Sequence, residues 1–151
     1  MPLDAVSTAA IPSALPMPAW AGTSGARAQR ARRGRAAHNA GLAAEEIAAR
    51  VYLQRGAQVL GRRLRTQHGE IDLIVQDGPH LVFVEVKRRK RLHGFDSPIS
   101  ERQWNRLGCA ALQYMVDNHD VTRIQPVCRF DAALVGPDGQ CHIIENARTF
   151  D

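Results

Sequence analysis

Gly69-Glu70-Ile71-Asp72-Leu73-Ile74, followed by Val82-Phe83-Val84-Glu85-Val86-Lys87, constrains this chain more than any other stretch. Both runs are rich in strand-forming residues, and Asp77-Gly78-Pro79 between them reads as a hairpin connection. Each run also carries ionised side chains that a simply buried strand lacks. Side chains alternate along a strand, so Glu85 and Lys87 share one face while Val82, Val84 and Val86 share the other. Two turn geometries are open. A four-residue loop from Asp77 to His80 pairs Gln76 with Leu81 and sets Asp72 opposite Glu85. A two-residue turn at Asp77-Gly78 sets Asp72 opposite Phe83, one diagonal step from Glu85. Either register leaves the two carboxylates ~5–8 Å apart on one side of the hairpin.

Carboxylates that close repel, and the sheet tolerates them only if something compensates. A shared proton, a nearby arginine or lysine, or a divalent cation would each do so. Mg²⁺ and Mn²⁺ favour oxygen ligands, commonly one or two carboxylates with waters and phosphate oxygens. A lysine two residues beyond a metal-binding carboxylate can hold or deprotonate water, or neutralise charge on a phosphate. Together these are the parts of a metal-dependent phosphodiester hydrolase. The plain alternative is a Glu85–Lys87 ion pair on a half-exposed strand, with Asp72 merely solvated.

Asp72 followed after twelve residues by Glu85-Val86-Lys87 resembles the PD-(D/E)xK motif of restriction-endonuclease-like and Holliday-junction-resolvase-like nucleases. The wider pattern resembles the YraN family of bacterial endonuclease-like proteins. Gly41 to Glu45, Ala48, Tyr52-Leu53 and Gly56 are similar to that family's opening helix. Gly69 to Ile74 and Val82 to Arg88 are similar to its central signature, and Arg129-Phe130-Asp131 and Asn146-Ala147 to its closing blocks. The resemblance runs from about Asn39 to Arg148. It implies an α/β fold with a restriction-endonuclease-like mixed β-sheet flanked by helices. It also implies that Asp72, Glu85 and the Val86 carbonyl bind Mg or Mn, that Lys87 works on water, and that Glu45 completes the site from a helix.

Charge is unevenly placed. Residues 1–40 hold five arginines against Asp4 alone, while the remainder holds fifteen basic and fourteen acidic side chains. Within that near-neutral remainder, Arg62, Arg63 and Arg65 form one basic cluster, and Lys87, Arg88, Arg89, Lys90 and Arg91 another. Both flank the carboxylates, as suits a site that attracts a phosphate backbone; a solvated charge run is the plain alternative. Residues 1–38 are rich in Ala, Pro, Ser, Gly and Arg without a hydrophobic period, which predicts a disordered basic tail before a domain over 39–151. Prolines break every early apolar segment, so a secretory signal is not expected. No apolar run approaches the length of a membrane span. Cys109, Cys128 and Cys141 lack paired spacing, which argues against a disulfide framework or zinc site and for a cytoplasmic setting. The six histidines are scattered, and His68 beside Gly69 alone lies near the chemistry.

Periodicity predicts a helix over Leu42–Arg55 with Ala44, Ile47, Ala48 and Val51 inward, stopped by Gly56. Strands follow near 57–65, 70–76 and 81–88. A second helix spans about 99–117, begun by Ser97-Pro98 or Ser100, with Trp104, Leu107, Ala111 and Tyr114 or Met115 inward. Strands near 127–135 and 141–145 complete an α-β-β-β-α-β-β order. Glu45 is either an ordinary first-turn acid or the helix member of the site. The resembling family carries a lysine on its second helix at the position aligned with Gln103, with Arg102 and Arg106 nearby. Glutamine there supplies hydrogen bonds to phosphate without charge, or serves a capping box with Ser100. Arg129 and Asp131 read chiefly as a structural pair.

The expected function is a cytoplasmic, nucleic-acid-binding, metal-dependent DNA endonuclease. The resemblance to junction resolvases implies branched DNA as substrate and a homodimer. The competing expectation is a nucleic-acid-binding module that keeps the nuclease fold without turnover. A protein-interaction adaptor whose basic arm contacts RNA or lipid is a third.

Overall fold

Apolar alternation builds three consecutive antiparallel strands in the computed structural model, which describes residues 23–92, 99–118 and 127–150. β1 spans Gln58–Thr66, β2 Gly69–Asp77 and β3 His80–Arg88. Gln76 pairs with Leu81, and Asp77 pairs with His80. The register of the longer expected loop therefore holds, while the turn itself tightens to Gly78-Pro79. Gly78 sits at φ +56°, a left-handed conformation that costs glycine little.

A parallel neighbour cannot be reached by a tight turn. Helix α2 (Glu101–Asp117) lies on the crossover, after which β4 (Val127–Val135) pairs parallel with β3. Strand β5 (Cys141–Arg148) returns antiparallel to β4, and the sheet order is β1-β2-β3-β4-β5. With helix α1 (Thr23–Gln54) at the start, the α-β-β-β-α-β-β order is the expected one.

Apolar residues from both sides of the sheet form two clusters. Ala48, Ala49 and Tyr52 of α1 pack with Leu73, Val75, Val82 and Val84. Trp104, Leu107, Ala110 and Ala111 of α2 pack with Ile74, Leu81 and Phe83. One helix thus covers each face, and β3 in the middle reads as an almost continuous apolar run because both its faces are buried. Ile47 and Val51, expected inward, are only half-buried, and the buried stripe is instead Ala44, Ala48, Ala49 and Tyr52.

Both helix ends have a local cause. Gly56 at φ +85° closes α1: its N–H donates to Leu53 O at 3.0 Å and the Ala57 N–H to Tyr52 O at 3.1 Å. That pair of bonds is a Schellman cap. Ser100 caps α2 in a reciprocal capping box with Gln103, and Ile99 just before it joins the cluster of Trp104 as a hydrophobic staple.

The start of α1 corrects an expectation. Residues 23–38, expected to be disordered, are helical. Alanine and arginine are among the best helix formers, and no proline follows Pro18 until Pro79. The apolar period beginning near Leu42 marks where the helix becomes buried, not where it begins. The chain divides into two units at Ala36/Ala37. In the first, every residue from Gly25 to Ala36 is exposed. The second holds the sheet, α2 and the buried part of α1. Residues 1–22 of the expected tail, the Ser97-Pro98 helix start, His93 and His119 lie outside the described residues. No helix among the described residues is long and apolar enough to cross a membrane.

Candidate active site

The β2–β3 ladder ends at Leu73↔Val84. One step further in that register, Asp72 and Glu85 lie side by side, and the side chain takes over from the backbone: the Val86 N–H donates to Asp72 Oδ2 at 2.8 Å. Glu85 is only 2% exposed. Two cations reach it. Lys87 Nζ donates to Glu85 Oε1 at 2.8 Å from the same face of β3, and Arg106 Nη2 of α2 donates to both carboxylate oxygens at 3.3–3.4 Å. Among the described residues no cation contacts Asp72 in this way. Burial, then the neighbouring Glu85 charge, push its carboxyl up to about 7 against the lowering effect of the Val86 N–H. Glu45 adds to that rise, and Lys87 opposes it.

Glu45 approaches from α1. Burial raises its own pKa, with the Arg63 charge opposing, the Glu70 charge adding, and His38 opposing last. Arg63 joins these acids: its Nε donates to Glu70 Oε1 at 2.9 Å and lies 3.7 Å from Glu45 Oε2. It does so from φ +47°, a left-handed conformation unusual for arginine. Backbone strain of this sort costs ~1–3 kcal/mol and collects at functional sites.

The expected phosphate-binding residues separate into several environments. Arg62 pairs with Glu46 of α1. Arg63 lies inside the acidic group and is not part of its rim. Arg65 is 88% exposed, with Glu70 3.5 Å away. Arg88, Lys90 and Arg91 are exposed and make no ion pair among the described residues. Arg89 is half-buried, and its N–H donates to Val135 O at 2.8 Å, carrying the basic run alongside β4. Gln103 is committed to the helix start, accepting the Ser100 N–H at 3.0 Å.

The match to known proteins falls on these same elements. Residues 44–135, more than half of the chain, match the model of the uncharacterised protein family UPF0102. The chain belongs to this family. It is similar to a UPF0102 protein of Ruegeria pomeroyi, 41% identical over 117 residues covering 78% of this chain and 94% of that relative. A UPF0102 protein of Cereibacter sphaeroides is 40% identical over 114 residues, covering 76% and 96%. One of Azorhizobium caulinodans is 40% identical over 116 residues, covering 77% and 87%. This is the YraN family that the motifs resemble, and the restriction-endonuclease-like superfamily is consistent with it. Glu45, Asp72, Glu85, Lys87 and Arg106 all lie within the UPF0102 match.

Arg106 is the site residue that sequence reasoning weighed only as a neighbour of Gln103. It lies three positions further along α2, on the same flank. Its path explains the glycine that opens β2. A Cβ at Gly69 would stand 2.9 Å from Arg106 Cδ, and Gly69 itself sits at φ +130°. The Gly69 position thus leaves room for the guanidinium to reach Glu85. Glu70, the next residue of β2, anchors Arg63. His68 is exposed in the β1–β2 turn; the histidine that influences a site carboxylate is His38, and it acts on Glu45.

Arg129 and Asp131 lie in a separate buried network. Asp131 is fully buried and accepts from Tyr52 Oη at 2.7 Å, Arg129 Nε at 2.9 Å and the Asn146 N–H at 3.0 Å. Arg129 Nη2 also donates to Asp77 at 2.8 Å. A register shift between Phe130 and Ala132 and the positive φ of Asn146 form the bulge that admits this carboxylate. The structural reading of the pair holds.

Among the described residues, no group of three or more His, Cys, Asp or Glu side chains converges on one ion position. The donor set at Asp72 and Glu85 is a pair of carboxylates, one buried and one with its ionisation held back. That pair fits a hard divalent cation completed by waters and phosphate oxygens.

Proposed function

We propose that this UPF0102 chain is a metal-dependent endonuclease that hydrolyses phosphodiester bonds of DNA. One observation carries the reading: Asp72 and Glu85 lie side by side at the end of the β2–β3 ladder with the Lys87 ammonium 2.8 Å from Glu85. Mutual repulsion makes the pair unfavourable without a cation, and a phosphodiester needs positive charge at this spacing. Asp72, Glu85 and the Val86 carbonyl would hold Mg²⁺ or Mn²⁺, with Glu45 as an outer partner. The ion, when bound, supplies charge stabilisation at phosphorus and acidifies water.

The remaining work belongs to side chains. Lys87 leaves Glu85 and, as an ammonium, donates to the attacking water to orient it, the water's proton passing to bulk solvent. Arg106, on the same carboxylate, releases toward the negative charge that develops on the phosphate oxygens. Arg65, Arg88, Lys90 and Arg91 position the backbone from the rim without reading bases. A four-way junction or flap as preferred substrate, and a homodimer as acting form, belong to the same proposal.

A second reading, a DNA-binding module without turnover, is favoured by the double engagement of Glu85 with Lys87 and Arg106. Labelled single-stranded, duplex, flap and four-way-junction DNA, with RNA, tested in Mg²⁺, Mn²⁺ or EDTA, separates the two. Metal-dependent cutting abolished in Asp72→Asn and Lys87→Ala is the expected result. No cutting of any substrate, with binding unchanged or tighter in Asp72→Asn, establishes the module instead.

A further inference from the structure

The exposed first part of α1 carries five arginines and no acidic residue between Thr23 and Ala36. At ~100° per residue, they do not scatter evenly around the helix. Arg27, Arg30 and Arg33 fall in one arc of roughly 120°, and Arg32 and Arg35 in one of roughly 60° on the opposite side. Ala31 lies along one edge between the stripes, and Gly25, Gln29 and Ala36 along the other. Among the described residues none of the five arginines makes an ion pair. A Cβ at Gly25 or Gly34 would meet nothing within 4 Å.

We propose that this segment is a second nucleic-acid site, a helix that lies in the major groove of duplex DNA with one arginine stripe on each phosphate wall. A helix with its side chains is ~10–12 Å across, and the B-form major groove is ~12 Å wide. Two opposed cationic flanks match the two strands bordering that groove, and the uncharged edge of Gly25, Gln29 and Ala36 faces its floor. A membrane surface is a poorer fit, because an interfacial helix needs a large apolar face and residues 23–36 contain no Leu, Ile, Val, Phe, Trp or Met. A-form RNA is also poorer, since its major groove is too narrow to admit a helix. The segment precedes the family match, which begins at residue 44, and the proposal stands independently of cleavage at Asp72 and Glu85.

Each arginine that neutralises a phosphate steepens the salt dependence of binding by ~0.9 in log–log slope. The test uses the full chain in EDTA, so that cutting cannot interfere, with fluorescence anisotropy on a random-sequence DNA duplex across a salt series. Changing all five arginines to glutamine should flatten the slope by about 2 to 4.5, and changing them to lysine should restore it. Ala31→Pro keeps the charge but breaks the helix, and should lose most of the same affinity. A slope change under about 1, no duplex binding by wild type, or wild-type affinity in Ala31→Pro overturns the proposal. Equal losses on an RNA duplex, or retention by phosphatidylglycerol vesicles in place of DNA, overturn it in favour of generic polyanion or membrane binding. Duplex binding that behaves as expected without any cutting in Mg²⁺ leaves this site standing and removes only the nuclease reading.

Discussion

At the scale of single residues, Asp72 is the group whose ionisation most depends on its neighbours. Its carboxyl is raised from 3.8 to about 7 by burial and by Glu85. A carboxyl with a raised folded-state pKa favours the fold while protonated, so its contribution is full below about pH 4 and is lost as pH rises through about 7. In EDTA at pH 8, Asp72→Asn should therefore be more stable than wild type by up to about 4 kcal/mol, with the difference fading by pH 4. Urea melts at the two pH values check this; equal midpoints at pH 8 would mean that the carboxylate pair is already neutralised. Added Mg²⁺ at pH 8 should stabilise wild type and leave the Asn variant nearly unmoved. Gly69 sets a second test. Gly69→Ala meets both a positive φ and the Arg106 side chain, and should cost about 1–3 kcal/mol. In an Arg106→Ala background the steric part disappears and only backbone strain remains, so thermal melts of the double-mutant cycle should show coupling.

At the scale of elements, the strongest joint is the one around Asp131, where α1, β4 and β5 meet through Tyr52, Arg129 and Asn146. Asp131 is fully buried, and Asp131→Ala takes the shared acceptor from Tyr52, Arg129 Nε and the Asn146 N–H, leaving Arg129 its hydrogen bond to Asp77; a loss of about 3–5 kcal/mol is expected. Tyr52→Phe removes one donor and should cost about 1–2 kcal/mol. Chemical denaturation reads both, and a Tyr52→Phe variant as stable as wild type would show that its hydroxyl is dispensable. Much of this level was legible in the sequence. The strands begin and end within a few residues of expectation because alternation and turn residues announce them, and the Ser100–Gln103 cap follows from spacing alone. The Arg106–Glu85 contact was not legible, because it joins α2 to β3 through tertiary packing that no local period encodes. The start of α1 was misread for a related reason. Apolar period reports burial, and an exposed alanine–arginine helix has none.

At the scale of the whole molecule, where charge sits matters more than how much of it there is. Within the second unit, the carboxylates sit inside and arginines and lysines line their edges. Ionic strength should thus act on DNA affinity before it acts on stability, since the buried pairs are screened far less than the rim. Raising KCl from 50 to 200 mM should weaken duplex binding while the urea midpoint barely moves; a midpoint that shifts in parallel would place the rim charges among the stabilising contacts.

The order of strands also governs when the site is assembled. The β2–β3 hairpin closes over a two-residue turn and brings Asp72 to Glu85 through contacts local in sequence. The arginine that shields Glu85 arrives only when the α2 crossover has docked and β4 has found its parallel place, steps that close long loops and are slow. During refolding the repulsion, eased locally by Lys87 alone, therefore precedes the second cation that Arg106 brings. If the hairpin belongs to the folding nucleus, Asp72→Asn should accelerate refolding at pH 8 more than it slows unfolding. Stopped-flow chevrons would then show this carboxylate as a brake on the route to the native state.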